Sequence, residues 1–308
     1  TQMLTDDELT CVLAHEMLHF CLLDGWSDYL TASQVLAAMT NDADATISHA
    51  ASERLFQLYT EVYCDRGALA APSGAPGAGG NLRAAITALV KLETGVTDIS
   101  AESYLRQTDE IFAKGHPVTE GVTHPEAFIR ARAIQLWAER PEDAGARAEA
   151  ESELAKIIEG PLSLESLDLL GQVKLARLTE RLIGQALRPA WLRTEPMLAH
   201  ARLFSEDFGP ADGPDAALKD DLAAGDEKLA DYYAYVLLDF AAADRDLEEA
   251  PLAAMLLASD ELGLGERFRR IAVKELHLRK KQFEALEAQA GRIVEKAAAD
   301  GLDDGGDQ

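Results

Sequence analysis

Two histidines four residues apart, with a glutamate directly after the first, stand at His15-Glu16-Met17-Leu18-His19. On a helix, positions four apart differ by about 40° and one turn along the axis, so both imidazoles can converge on one metal ion from one face. Glu16, one residue round from His15, can reach a water on that metal as general base. A tetrahedral catalytic zinc needs a third protein ligand and one open position. The best candidate is Glu61 in Glu61-Val62-Tyr63-Cys64-Asp65, with His49 as a rival on the same helix. Leu58, Ala68 and Leu69 share the side of Glu61 and Asp65, so that face should be buried. A carboxylate pair there is costly unless metal, histidine or arginine compensates it. Glu61 is therefore expected to ligate, and Asp65, one turn on, to orient a ligand histidine or pair with an arginine.

The elements that must hold these residues are helical. Thr5-Asp6-Asp7-Glu8 is a capping box with acidic residues in the first turn, where the helix dipole favours them. Leu9, Val12, Leu13 and Phe20 continue it as an apolar stripe, giving a first helix over about residues 6–23. Leu55, Phe56, Tyr59, Val62 and Tyr63 follow helical spacing in a second, over about residues 43–71. Residues 72–80 carry two prolines and four glycines and read as a flexible loop. Helical patterns resume over residues 82–92 and 100–114. Two His-Pro pairs and Gly121 make residues 116–125 a loop, and a helix follows over residues 126–139. Beyond Pro141 the pattern is almost wholly helical and acidic, with breaks near Gly160, Pro189 and the Gly209-Pro210/Gly213-Pro214 cluster. That last cluster is the best domain-boundary candidate. No internal repeat and little strand signal are seen.

The chain has 308 residues, enough for two domains. Hydrophobic residues make up 47% and aromatics 6%, a mix that favours packed helices over β-sandwiches. A net charge of −25 argues against a nucleic-acid or anionic-membrane surface and is compatible with an appetite for divalent cations. Three cysteines, Cys11, Cys21 and Cys64, are too few for a disulfide framework and point to a reducing compartment. No apolar run reaches the ~18 residues of a membrane span. The sequence opens at Thr1 already inside a helix signal, which reads as a fragment or processed product.

Three motifs in order resemble the M48 metallopeptidase family: Thr5-x-x-Glu8 through His15-Glu16-x-x-His19, then Glu61-x-x-Cys64-Asp65, then His124-Pro125 with Arg130 six after the histidine. The resemblance covers about residues 5–135. It implies a gluzincin site, with His15, His19 and Glu61 on one catalytic Zn2+ and Glu16 as base. It also implies that Asp65 supports the ligands, His124 stabilises the oxyanion and Arg130 pairs with Asp65. The implied activity is endopeptidase cleavage of a protein or peptide substrate. Cys64 stands where the family often has alanine. The family also places strands before the metal helix, one of which holds the substrate by edge pairing. Only 14 residues precede His15, so those strands are expected upstream of Thr1.

In the second half, residues 235–244, an acidic turn at residues 244–249 and a helix ending in Leu262-Gly263-Leu264 resemble the TerB-like domain of tellurite-resistance proteins. The resemblance implies an acidic, metal-binding cluster of Asp239, Asp244, Asp246 and Glu249; equally, these residues can simply cap and solvate a helix start. Arg267, Arg269, Arg270, Lys274, Arg279, Lys280 and Lys281 form a basic run in an otherwise acidic chain, read as a solvated face or one docked on the chain's own acidic surface.

The expected architecture is thus predominantly α: a zincin-like helical core and a C-terminal all-helical domain. Its divisions are a metallopeptidase domain over residues 1–140, a helical connector over 141–225, a TerB-like domain over 226–299 and a disordered acidic tail over 300–308. The expected setting is the bacterial cytoplasm. The competing expectation from another class is a non-catalytic metal-binding scaffold or stress-response interaction protein that works through its acidic C-terminal half.

Overall fold

The computed structural model describes residues 3–24, 28–69, 79–115, 117–139, 144–211 and 213–303. Among the described residues the protein is predominantly helical, with fourteen α-helices, one short 3-10 helix and no strand. A single isolated bridge joins Leu162 to Gly225. No described helix is long and apolar enough to cross a membrane. The chain divides into two compact units, Thr1–Gly160 and Pro161–Gln308.

The first unit contains α1 (Asp6–Leu22), α2 (Asp28–Thr40), α3 (Ile47–Ala68), α4 (Gly79–Thr94), α5 (Ala101–Lys114), α6 (Ala127–Ala138) and α7 (Ala144–Glu159). The capping box at its start forms as the sequence requires. The Thr5 hydroxyl accepts the Glu8 N–H at 3.3 Å, and the Glu8 carboxylate accepts the Thr5 N–H at 2.8 Å. Glu8 also accepts from Lys91 of α4 at 2.9 Å, with both side chains buried, so a paired charge ties the head of α1 to α4.

α1 packs on α3 and α4, and α3 packs in turn on α2, α6 and α7. Gly67 of α3 lets the Leu18 side chain of α1 lie directly against the α3 backbone. A Cβ there would lie 2.2 Å from Leu18 Cδ1, so a side chain at this position requires Leu18 to shift. The core of this unit is divided. Leu58, Val62, Ile129, Leu154 and Ile158 form one cluster and Ile86, Leu89, Ala131 and Ile134 another; Cys11, Ala84 and Ala85 form a third. Leu13, Met17 and Phe20 of α1 stay exposed.

The second unit contains α8 (Leu169–Ala186), the 3-10 turn at Ala190–Leu192, α9 (Glu195–Ala201), α10 (Leu218–Ala223), α11 (Glu227–Ala241), α12 (Ala250–Glu261), α13 (Gly265–Glu275) and α14 (Lys280–Asp303). These helices enclose one continuous core around Leu182, Leu187, Tyr233, Leu237, Met255 and Phe268.

Several sequence expectations meet a different outcome. α2 was not expected; none of its residues is fully buried, and its half-buried residues mix Tyr29, Leu36 and Met39 with Ser33 and Thr40, a weak apolar stripe. α4 begins at Gly79, inside the expected loop, whose residues 72–78 lie outside the described residues, as do residues 70 and 71 at the expected end of the second helix. The division falls at Gly160–Pro161 rather than at the Gly-Pro cluster near residue 210, so the expected connector gives α7 to the first unit and α8–α10 to the second. α14 runs on through Asp303, into the stretch expected as tail, and residues 304–308 lie outside the described residues.

Candidate metal centre

α1 and α3 bring three ligand groups together. His15, His19 and Glu61 place one ligand atom each within 4.8 Å of one another, and no other such group of three or more occurs among the described residues. His15 Nε2 and His19 Nε2 are 3.1 Å apart. Glu61 straddles the pair, with Oε2 at 3.5 Å from His15 Nε2 and Oε1 at 3.4 Å from His19 Nε2. Donors of a tetrahedral zinc with bonds near 2.0 Å lie about 3.3 Å from each other, so these spacings suit a small cation with nitrogen and oxygen ligands. Glu61 Oε2 is, in addition, buried without a hydrogen bond. A buried carboxylate oxygen without a donor is costly, and a cation between the three groups removes that cost.

The surroundings fix the ligands. Asp65, one turn along α3 from Glu61, sits 3.0 Å from His15 Nδ1, though not aligned as a hydrogen bond, and so directs the opposite nitrogen, Nε2, to the ligand cluster. Arg130 of α6 grips Asp65 through two bonds of 2.7 Å and lies 3.6 Å from Glu61 Oε2. Burial alone would raise the Asp65 carboxyl, but Arg130 and His15 hold it below the usual carboxylate range. Glu61 follows the same balance: burial raises it, and His15 with Arg130 brings it down. Burial works against charge on His15 as well, yet the carboxylates of Asp65 and Glu61 prevail and push it up to about 9. The cluster therefore favours a positive charge at the imidazole pair, which a divalent cation supplies as a proton does. Burial, with Glu61 and Asp65 adjacent, pushes the Cys64 thiol up to about 12, an inert thiol rather than a ligand.

Two open sides complete the site. A cavity of about 550 Å3 reaches His15, Glu16, Glu61 and His124 and is floored by α4. A second, of about 310 Å3, reaches His19, Glu61 and His124 from the side of α2. Glu16 is exposed and faces the first. His124 reaches over the cluster from its loop, with Nε2 at 3.4 Å from Glu61 Oε1 and Nδ1 at 2.9 Å from the Thr123 hydroxyl. That loop turns tightly at Gly121, where a Cβ would meet the His124 carbonyl oxygen at 2.0 Å. Arg54 of α3 braces it by donating to the Gly121 and Thr119 carbonyls.

The structure thus gathers His15, Glu16, His19, Glu61, Asp65, His124 and Arg130 at one place. His49 is not part of it: its Nδ1 accepts the Thr46 N–H at 3.2 Å and caps α3. The acidic residues of the second unit do not gather into a ligand group. Asp244 is buried, accepts from the Thr194 hydroxyl at 2.7 Å and the Asp246 N–H at 3.0 Å, and so holds a turn, while Asp239, Asp246 and Glu249 are exposed. Much of the basic run is engaged locally: Arg267 and Arg270 bond Asp231, and Arg269 bonds Asp260 and Glu287. Sequence reasoning missed Tyr29 and Ser33 of α2, which line the second cavity, and Ala85 and Ala88 of α4, which line the first. Compared with protein-family models, with curated proteins and with solved structures, the chain matches none.

Proposed function

We propose that the protein is a zinc-dependent endopeptidase of the gluzincin type, built on a zincin-like helical core of the M48 kind. The observation that carries the reading is the convergence of His15 Nε2, His19 Nε2 and the Glu61 carboxylate, with Glu61 Oε2 buried and unbonded, beside a cavity that also contains Glu16. Bound there, zinc supplies Lewis acidity toward a water and the scissile carbonyl.

The remaining work belongs to this chain's residues. Glu16 accepts the proton of the attacking water and returns it to the leaving amine. Asp65 and Arg130 hold His15 in the orientation that presents Nε2, and Arg130 keeps the paired carboxylates ionised. A Thr123 hydroxyl that donates to His124 Nδ1 leaves the ring proton on Nε2, the tautomer that can donate to the oxyanion of the tetrahedral intermediate.

Glu16→Gln is expected to bind zinc as the wild type does and to lose peptidase activity by about 10²–10⁴-fold. Metal analysis paired with cleavage of a peptide library, with and without phenanthroline, checks both halves. A Glu16→Gln variant that cleaves as well as wild type would overturn the mechanism. A purely structural metal predicts no phenanthroline-sensitive cleavage by either protein.

A further inference from the structure

His124 belongs to residues 117–125, which form neither helix nor strand. Its side chain is 60% exposed, so packing does not set where the ring points. Such a ring is placed by its backbone, and three groups hold that backbone. The first is Arg54 of α3, whose Nε donates to the Gly121 carbonyl at 2.8 Å and whose Nη2 donates to the Thr119 carbonyl at 2.7 Å. A planar fork that takes two carbonyls at once fixes the direction of the segment as well as its distance. The second is Glu126, at the head of α6, whose carboxylate accepts the Thr119 hydroxyl at 2.7 Å and the Glu120 N–H at 3.0 Å. The third is the Ile157 carbonyl of α7, which accepts the Thr119 N–H at 2.9 Å. Every polar atom of buried Thr119 is thus engaged.

The register of Arg54 makes it more than a brace. Arg54 and Glu61 stand seven residues apart on α3, about two turns along and roughly 20° from the same face. One helix therefore carries both the carboxylate of the ligand cluster and the fork that holds the His124 segment, so the two are indexed to each other. The outcome is read at the ring, where His124 Nε2 stands 3.4 Å from Glu61 Oε1.

Building on the peptidase reading above, we infer that Arg54 is a positioning residue: through the Thr119 and Gly121 carbonyls it holds His124 where the ring meets the oxyanion. Misplacing a catalytic group by about 1 Å costs on the order of 10²-fold in rate, so the fork acts on kcat rather than on substrate affinity.

The test compares steady-state kinetics of zinc-loaded full-chain Arg54→Ala, His124→Ala and the double variant on one peptide that the wild type cleaves. Arg54→Ala should lower kcat about 10²-fold with KM unchanged, and the double variant should be no slower than His124→Ala. Losses that multiply in the double variant overturn this inference and spare the peptidase reading. Amide exchange reads the same point without turnover: residues 119–124 should exchange faster in Arg54→Ala, while α3, α6 and zinc content stay as in the wild type. Wild-type protection there also overturns the inference. So does full recovery by Arg54→Lys, which keeps the charge without the planar fork. If Arg54→Ala unfolds the first unit, Thr119→Val loosens the segment from the Glu126 side and must show the same non-additivity with His124→Ala. Absence of phenanthroline-sensitive cleavage by the wild type overturns both readings.

Discussion

The two units use similar helices to different ends. The second gathers its apolar residues into one core, and its buried polar side chains are few: Thr179, Gln185, Asp244 and Ser259. The first splits its core into three small clusters and buries Glu8, Glu61, Asp65 and Lys91, while Leu13, Met17 and Phe20 stand exposed. A fold selected for stability alone resembles the second unit, since buried charge is at best neutral against an apolar replacement. The first unit spends stability on holding charged groups where a cation can meet them.

The largest expected effect tests that contrast at its most charged point. Arg130→Ala leaves Asp65 buried without its bidentate partner, and should destabilise the first unit by about 3–5 kcal/mol. Hydrogen exchange resolved along the chain should show the loss in α3 and α6. If those helices keep wild-type protection, Asp65 is not the dependent charge described here. Its counterpart in the second unit is Leu187→Ala, a change of volume only, expected to cost about 2–5 kcal/mol through the cavity it leaves. That loss should be the same at pH 5 and pH 8, because no titrating group is involved. A pH-dependent loss at Leu187 would erase the distinction between an apolar and an ionic unit.

The face that carries His15, His19, Glu61 and Asp65 was legible in the sequence because its information is local. A spacing of four on one capped helix places His15 and His19, and the buried neighbours Leu58 and Ala68 announce that Glu61 and Asp65 face inward. What escaped was set by distant partners. α2 is only half-buried, and its half-buried residues mix Tyr29, Leu36 and Met39 with Ser33 and Thr40, so periodicity had a weak stripe to find. Lys91 carries no local signal of its partner, because Glu8 reaches it only where α1 and α4 meet. The Gly209–Pro214 stretch has a linker's composition, yet Phe208 lies in the second core, and the Ala211 carbonyl accepts from Arg193. The acidic residues after α11 looked like a cation site, but Asp244 is satisfied by Thr194, fifty residues away in sequence.

The next effect is smaller and depends on pH. In metal-free protein, His15 is raised from 6.5 to about 9, so its stabilising contribution is full below pH 6.5 and disappears as pH climbs to 9. Asp65 and Glu61 are lowered from 3.8 and 4.5, so theirs is present above those values and disappears as pH falls through the folded values. The first unit without metal should therefore be most stable between about pH 4.5 and 6.5, losing roughly 3 kcal/mol toward pH 9. Zinc should abolish the alkaline decline, because the cation takes over the charge that the proton carried. Thermal unfolding between pH 5 and 9, with EDTA and with zinc, measures both curves. Parallel curves would mean that no cation binds at the imidazole pair.

The smallest effect compares two threonine caps, one in each unit. The Thr5 hydroxyl accepts the Glu8 N–H and has no further task; Glu8 keeps both the Thr5 N–H and Lys91 when the hydroxyl is removed. Thr5→Ala should cost about 1 kcal/mol, the ordinary loss of a cap. The Thr194 hydroxyl accepts the Met197 N–H at 3.4 Å and donates to buried Asp244 at 2.7 Å. Thr194→Ala therefore removes a cap and a donor to a buried carboxylate, and should cost about 2 kcal/mol. Serine at either position should restore most of the loss, since it keeps the hydroxyl. Denaturant unfolding of the four variants decides the matter. Equal losses for the two alanine variants would mean that Asp244 finds another donor, so that the second unit carries this buried acid at less risk than the first unit carries its cluster.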